Sequence, residues 1–148
     1  MFEYDGGMET LLSNEALAEV ASGLAVLNDA ADDVELLERI GVLETLKNAA
    51  AAAQARATGR LRRLREEEAE AAGRSMARTG ASVAAEVALA RRESPRRGRI
   101  LTGLAWVLER ELPYTMARFA AGEISEYRAQ FVAQETACLS RIDRGRVD

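Results

Sequence analysis

The side chains best suited to chemistry in this sequence are arginines, and what is missing around them narrows the chemistry they could do. Nineteen of the twenty basic residues are arginine, the exception being Lys47, and there is no histidine. General acid–base catalysis near neutrality most often uses histidine, and zinc sites need several His or Cys ligands. With a single cysteine, Cys138, neither is available, so the sequence predicts no catalytic residue, no metal site, no cofactor and no small-molecule substrate. Cys138 has no histidine to activate it and lies in an apolar helical pattern, so it is expected to be buried packing. The dense acidic run Glu66, Glu67, Glu68 and Glu70 reads as a solvated helix face paired at i,i+4 with Arg62 and Arg63 rather than as a magnesium site.

Two arginine clusters remain. Arg56, Arg60, Arg62, Arg63 and Arg65 fall in one helical stretch, and Arg91, Arg92, Arg96, Arg97 and Arg99 bracket Glu93-Ser94-Pro95. The second is the more specific. It sets five guanidinium groups against one carboxylate at a helix start, where free amides and the helix dipole also favour phosphate. These five are the candidate nucleic-acid-binding residues, with DNA as the candidate partner. The competing reading is that Arg91 and Arg92 complement a helix C-terminus and the others are merely solvated, arginine abundance reflecting a GC-rich genome. Trp106 is displaced by more than about 100° from the Leu104 and Leu108 face and shares its side with Arg99, Thr102, Gly103 and Arg110. Burial under a second helix admitted by Gly103 is the favoured reading; stacking on a base is the other.

The elements that must position these groups are all helical, and the expected fold class is all-α: a long alanine-rich helix followed by a bundle of short helices. Aromatics make up only 5% of the chain while alanine supplies much of the apolar content. Thin, closely packed helices, an elongated shape or oligomerisation therefore fit better than one thick core. A first helix is predicted over 13–27, with Leu17, Val20, Leu24 and Leu27 on one side and Asn28-Asp29 ending it. Asp32 and Glu35 resemble a capping box that opens a helix running to about Ala72. Gly41 and Gly59 are its candidate break points. If it stays whole, Leu36, Ile40, Leu43, Ala50, Ala57, Leu61 and Leu64 form a coiled-coil-like stripe, interrupted by Lys47 and Gln54. Leu36, Ile40, Leu43, Leu61 and Leu64 are the candidate oligomer interface of a homodimer.

Domain boundaries are expected at 1–72, a linker at 73–81, and a short-helix region at 82–148. Within the last, Ser94 and Pro95 cap and open a helix with core residues Ile100, Leu101, Leu104, Leu108 and Leu112. Pro113 starts another that Gly122 stops. Ser125 caps a third, whose expected inward face is Tyr127, Phe131, Cys138 and Ile142. The two helices around Gly122-Glu123-Ile124-Ser125 have helix-turn-helix spacing, which plain helical hairpins share. Ser140 to Asp143 matches a capping box with five residues after it, so the pattern predicts a chain cut off as an element begins.

Charge divides the chain. Residues 1–48 carry eleven acidic and two basic side chains, a net −9, and residues 49–148 carry thirteen acidic and eighteen basic, a net +5. The rear part could attract phosphate while the front repels it. No stretch of about eighteen apolar residues exists. Met1-Phe2-Glu3-Tyr4-Asp5 is acidic where a signal peptide is basic, so the expectation is a cytoplasmic protein with no membrane partner.

The run from Ser82 to Asp148 resembles the actinobacterial family called domain of unknown function 222, or 13E12-repeat. The matching words are VAAEVALARRESPRRG, LERELPYTMARFAAGEISEYRAQFVAQETACLS and DRGRVD. In that family the helical domain is usually followed by an HNH endonuclease domain, often with mobile-element associations. The resemblance implies a nuclease-associated, DNA-binding or DNA-targeting module. It supplies no catalytic residue, because an HNH site uses histidines and this chain has none. The alternative is an oligomerisation or protein-interaction scaffold, or a mobile-element remnant without DNA affinity.

Overall fold

The computed structural model describes residues 12–28 and 32–148, all of whose regular elements are helices. Met1 to Asp5, Gly6-Gly7 and Asp29, singled out above, lie outside the described residues. The chain divides into two compact units, Met1–Leu37 and Glu38–Asp148. The division falls inside the long helix, not at the glycine-flanked segment 73–81.

In the first unit, helix α1 (Asn14–Ala25) is capped by Ser13, whose Oγ accepts the Ala16 amide at 3.1 Å. Its predicted periodicity is present, but Leu17, Val20, Leu24 and Leu27 are all exposed. Helix α2 (Asp33–Ala71) opens with Asp32 Oδ1 accepting the Glu35 amide at 2.8 Å, the forward half of a capping box. It runs unbroken through both Gly41 and Gly59, carried by strong helix formers such as the Ala49–Ala53 run.

In the second unit, α2 buries Asn48, Ala52, Ala55, Thr58, Gly59 and Ala69. This is a different face from the predicted stripe: Leu36, Ile40, Leu43, Ala50, Ala57 and Leu64 are exposed and Leu61 is half-buried. Small side chains won because they let neighbouring backbones approach closely, which bulky leucines would prevent. The core joins Ala52 and Ala55 to Leu104, Ala105, Leu108, Leu112, Phe119 and Ala129.

Helix α3 (Met76–Ala90) starts six residues earlier than expected, because Ser75 caps it and Gly80 is tolerated in its interior. The expected linker thus shrinks to the turn between Ala71 and Met76. Helix α4 (Pro95–Arg110) has Ser94 at its N-cap, accepting the Arg97 amide at 3.2 Å, and Pro95 in its first turn, as predicted. The α3–α4 hairpin is close: a Cβ on Gly98 would lie 2.3 Å from the Ala84 carbonyl oxygen.

Helices α5 (Pro113–Ala120) and α6 (Glu126–Glu135) pack on α4 and on each other. Gly122 between them adopts φ +77°, and Asn48 Nδ2 of α2 donates to its carbonyl at 3.2 Å. The inward face of α6 is Ala129, with Val132 and Ala133 half-buried. Tyr127, Phe131, Cys138 and Ile142 are instead exposed, Tyr127 by 74%. The helix ends at Glu135, so Cys138 falls in the turn beyond it and Ile142 in the next helix, and on α6 itself alanine again is what packs inward.

The final helix α7 (Arg141–Val147) carries the expected cap, Ser140 Oγ accepting the Asp143 amide at 3.1 Å. Its anchor is Arg144, buried and ion-paired with Glu111, with further bonds to the carbonyls of Thr136 and Ala133. Asp148 then accepts from the Tyr114 amide at 2.6 Å and the Thr115 amide at 2.9 Å, serving the α5 N-terminus, where Leu112 offers no side-chain cap. No described helix is long and apolar enough to cross a membrane.

Candidate nucleic-acid interface

The five arginines predicted as one cluster separate into two groups with different fates. Arg91, the C-cap of α3, donates to Glu126 Oε2 at 2.8 Å, and Arg97, in the first turn of α4, donates to Glu126 Oε1 at 2.8 Å and to Gln130 Oε1 at 2.7 Å. Arg91 and Glu126 are only 17% and 16% exposed in their side chains. Glu126, in the first turn of α6, therefore clamps the α3–α4 hairpin to α6, and both guanidinium groups are committed to structure. Sequence spacing could not reveal this, because the carboxylate lies 29 and 35 residues away.

Arg92, Arg96 and Arg99 are exposed and make no ion pair among the described residues. Arg92 has a backbone feature of its own. Three helices end in the same left-handed turn, in which the second residue past the cap bonds back to the last helical turn: α2 at Gly73, α5 at Gly122 and α3 at Arg92. In the α3 turn the Glu93 amide donates to the Ala88 carbonyl at 2.8 Å and the Arg92 amide to the Leu89 carbonyl at 3.1 Å. Glycine takes that position in the other two turns, at φ +63° and +77°, whereas here arginine holds φ +55°. A side chain with a Cβ is strained there by about 1 kcal/mol.

In the first arginine cluster Arg62, Arg63 and Arg65 are paired, whereas Arg56 and Arg60 are exposed and make no ion pair among the described residues. Arg62 pairs with Glu66 at 2.7 Å as expected, but Arg63 pairs with Glu109 of α4. Arg65 pairs with Glu86 of α3 at 3.1 Å and with Glu68 at 3.2 Å. Those carboxylates, Glu86 foremost, raise the Arg65 pKa above its already high value. Of the acidic run, Glu67, Glu68 and Glu70 are exposed. Among the described residues no group of three or more His, Cys, Asp or Glu could hold a metal ion.

Trp106 is half-buried, with the Arg110 guanidinium 5.4 Å from its ring centre. Among the described residues no second helix covers Gly103, since nothing lies within 4 Å of where a Cβ would stand. Below the Glu126 clamp, a cleft of about 490 Å³ is lined by Lys47, Gln54, Arg91, Arg97, Glu126 and Tyr127. Its two arginines are those already held by Glu126. Compared with known proteins, the chain matches no protein-family model, no curated protein and no solved structure.

Proposed function

We propose that the Glu38–Asp148 unit is a non-catalytic, DNA-directed helical module of the kind implied by the resemblance to the HNH-associated family, and that it engages phosphates through Arg92, Arg96 and Arg99. The observation that carries this reading is Arg92. A position where glycine relieves strain is held by a long cation that is exposed and without an ion pair among the described residues, next to the likewise unpaired Arg96 and Arg99 on the first two turns of α4. Strain kept at an exposed charged residue points to a use outside the fold. Arg91 and Arg97 shape this surface by holding α6 against it, and contact with phosphate falls to the other three.

The test is a titration of a labelled duplex and a single strand at several salt concentrations with wild type and Arg96→Ala/Arg99→Ala. On duplex DNA each lost phosphate contact flattens the logarithmic salt slope by about 0.9. Equal affinity and slope in the double variant would remove this surface from consideration.

A second reading has its own observation. Val34, Leu36, Leu37, Ile40, Val42, Leu43 and Leu46 are all exposed along the first third of α2. Of these, Leu36, Ile40 and Leu43 share one side of the helix, and together with Leu61 and Leu64 they make the stripe that suits self-association as a homodimer. Sedimentation showing a monomer at tens of micromolar, about the range of a weak interface, would sink it.

A further inference from the structure

The outward face of α4 gathers exposed arginines around a glycine and the tryptophan. Arg96, Arg99, Gly103, Trp106 and Arg110 fall within about 80° of arc at the helical period. The opposite side buries Gly98, Leu101, Leu104, Ala105 and Leu108. Arg96, Arg99, Gly103 and Arg110 are exposed and Trp106 half-exposed. The one carboxylate of the helix, Glu109, pairs with Arg63 of α2, and Glu111, just beyond it, pairs with Arg144. No acid of α4 therefore offsets the arginines of this face.

Gly103 is the second observation. In an exposed helix interior glycine is a poor choice, and here no neighbour requires it, because a Cβ would meet open space. What it does provide is a notch, with Arg99 one turn before it and Trp106 and Arg110 one and two turns after. The ring of Trp106 carries the Arg110 guanidinium on its face, which restricts that long side chain and holds its charge beside the notch.

We infer that this face is a rail along which a nucleic-acid phosphate backbone lies, with Arg96 and Arg99 at one end, Arg110 at the other, and Gly103 admitting the close approach between them. The inference rests on the DNA-directed reading above and extends it: the strand runs along α4 and is not confined to the α3–α4 turn. Charge complementarity selects the occupant, since cations at both ends with no acid between them fit a regularly spaced polyanion.

The experiment uses the full chain with a 20-base-pair labelled duplex as probe, and poly-glutamate as a competitor of equal charge. The variants are Gly103→Leu and Arg110→Gln, beside Arg96→Ala/Arg99→Ala. Gly103→Leu fills only open space, so circular dichroism should be unchanged while duplex affinity drops about tenfold or more. Arg110→Gln should weaken binding and flatten the salt slope by about one contact. Trp106, the only tryptophan, should change its emission on binding. If wild type binds and the Arg96/Arg99 variant is weakened, but Gly103→Leu and Arg110→Gln match wild type, the rail is wrong and the turn surface stands. Failure of wild type to bind at low salt overturns both. Displacement by poly-glutamate as readily as by unlabelled duplex assigns the face to an acidic protein and overturns the rail.

Discussion

Gly98 of α4 lies against the backbone of Ala84 in α3, so near that a Cβ there would stand 2.3 Å from the Ala84 carbonyl oxygen and 2.6 Å from the Ala88 Cβ. Backbone cannot give way as a flexible side chain can. Gly98→Ala should therefore pry the hairpin apart and cost about 1–3 kcal/mol, read as a lower urea midpoint by circular dichroism. An unchanged midpoint would mean that the two helices are less closely apposed.

Glu126→Gln keeps the shape of the clamp and removes its charge. Arg91 and Arg97 then lose their shared carboxylate in a poorly solvated place, and we expect a loss of about 2 kcal/mol after allowing for residual solvent. Two arginines are also released towards solvent. If the DNA-directed reading holds, the salt slope should steepen while stability falls, a combination that simple unfolding would not produce.

Arg92→Gly separates fold from function most cleanly. Glycine relieves the left-handed strain, so the thermal midpoint should rise by the equivalent of about 0.5–1 kcal/mol. Duplex affinity should decline because one exposed cation is gone. A more stable variant with undiminished DNA binding would leave Arg92 without a role outside the turn.

Asp148→Ala removes the acceptor that serves both Tyr114 and Thr115 amides and the Thr115 hydroxyl, itself 2.5 Å away. Loss of such a cap costs about 1 kcal/mol. Amide hydrogen exchange at Tyr114 and Thr115 should quicken first; equal protection in the variant would show the cap to be dispensable.

The caps at Asp32, Ser94, Ser125 and Ser140 are legible because a cap is a local motif: the acceptor and the amide it serves lie three residues apart, and the same geometry makes Ser13, expected inside α1, its cap. Ser75 is less legible, because Gly73 and Gly80 on either side of it give the segment the look of a linker. Helix faces were harder to read. Reasoning from bulk chose Leu36, Ile40 and Leu43 on α2 and Tyr127 and Phe131 on α6, whereas the second unit packs on Asn48, Ala52, Ala55 and Ala129. On α2 and α6 the smallest residues set the closest approach, whereas on α4 the bulky Leu101, Leu104 and Leu108 are buried as their spacing predicts. The arginine cluster was legible as a concentration of charge, but the partner that removes Arg91 and Arg97 from it sits on another helix. Nothing local distinguishes Arg144, the one buried arginine among the described residues, from its exposed neighbours Arg141 and Arg146.

The last helix has a kinetic meaning. Seven residues make little helix on their own, so α7 gains its order from Arg144 on Glu111 and from Asp148 on Thr115, contacts that each span 33 residues. We expect such closures to form late, after the chain between them has taken shape, and interactions absent from the folding transition state act mainly on the rate of opening. The α7 clasp should thus behave as a latch. Cutting it would leave Glu111 unpaired beside Leu112, bare the first amides of α5, and shorten the lifetime of the folded second unit far more than it slows its formation.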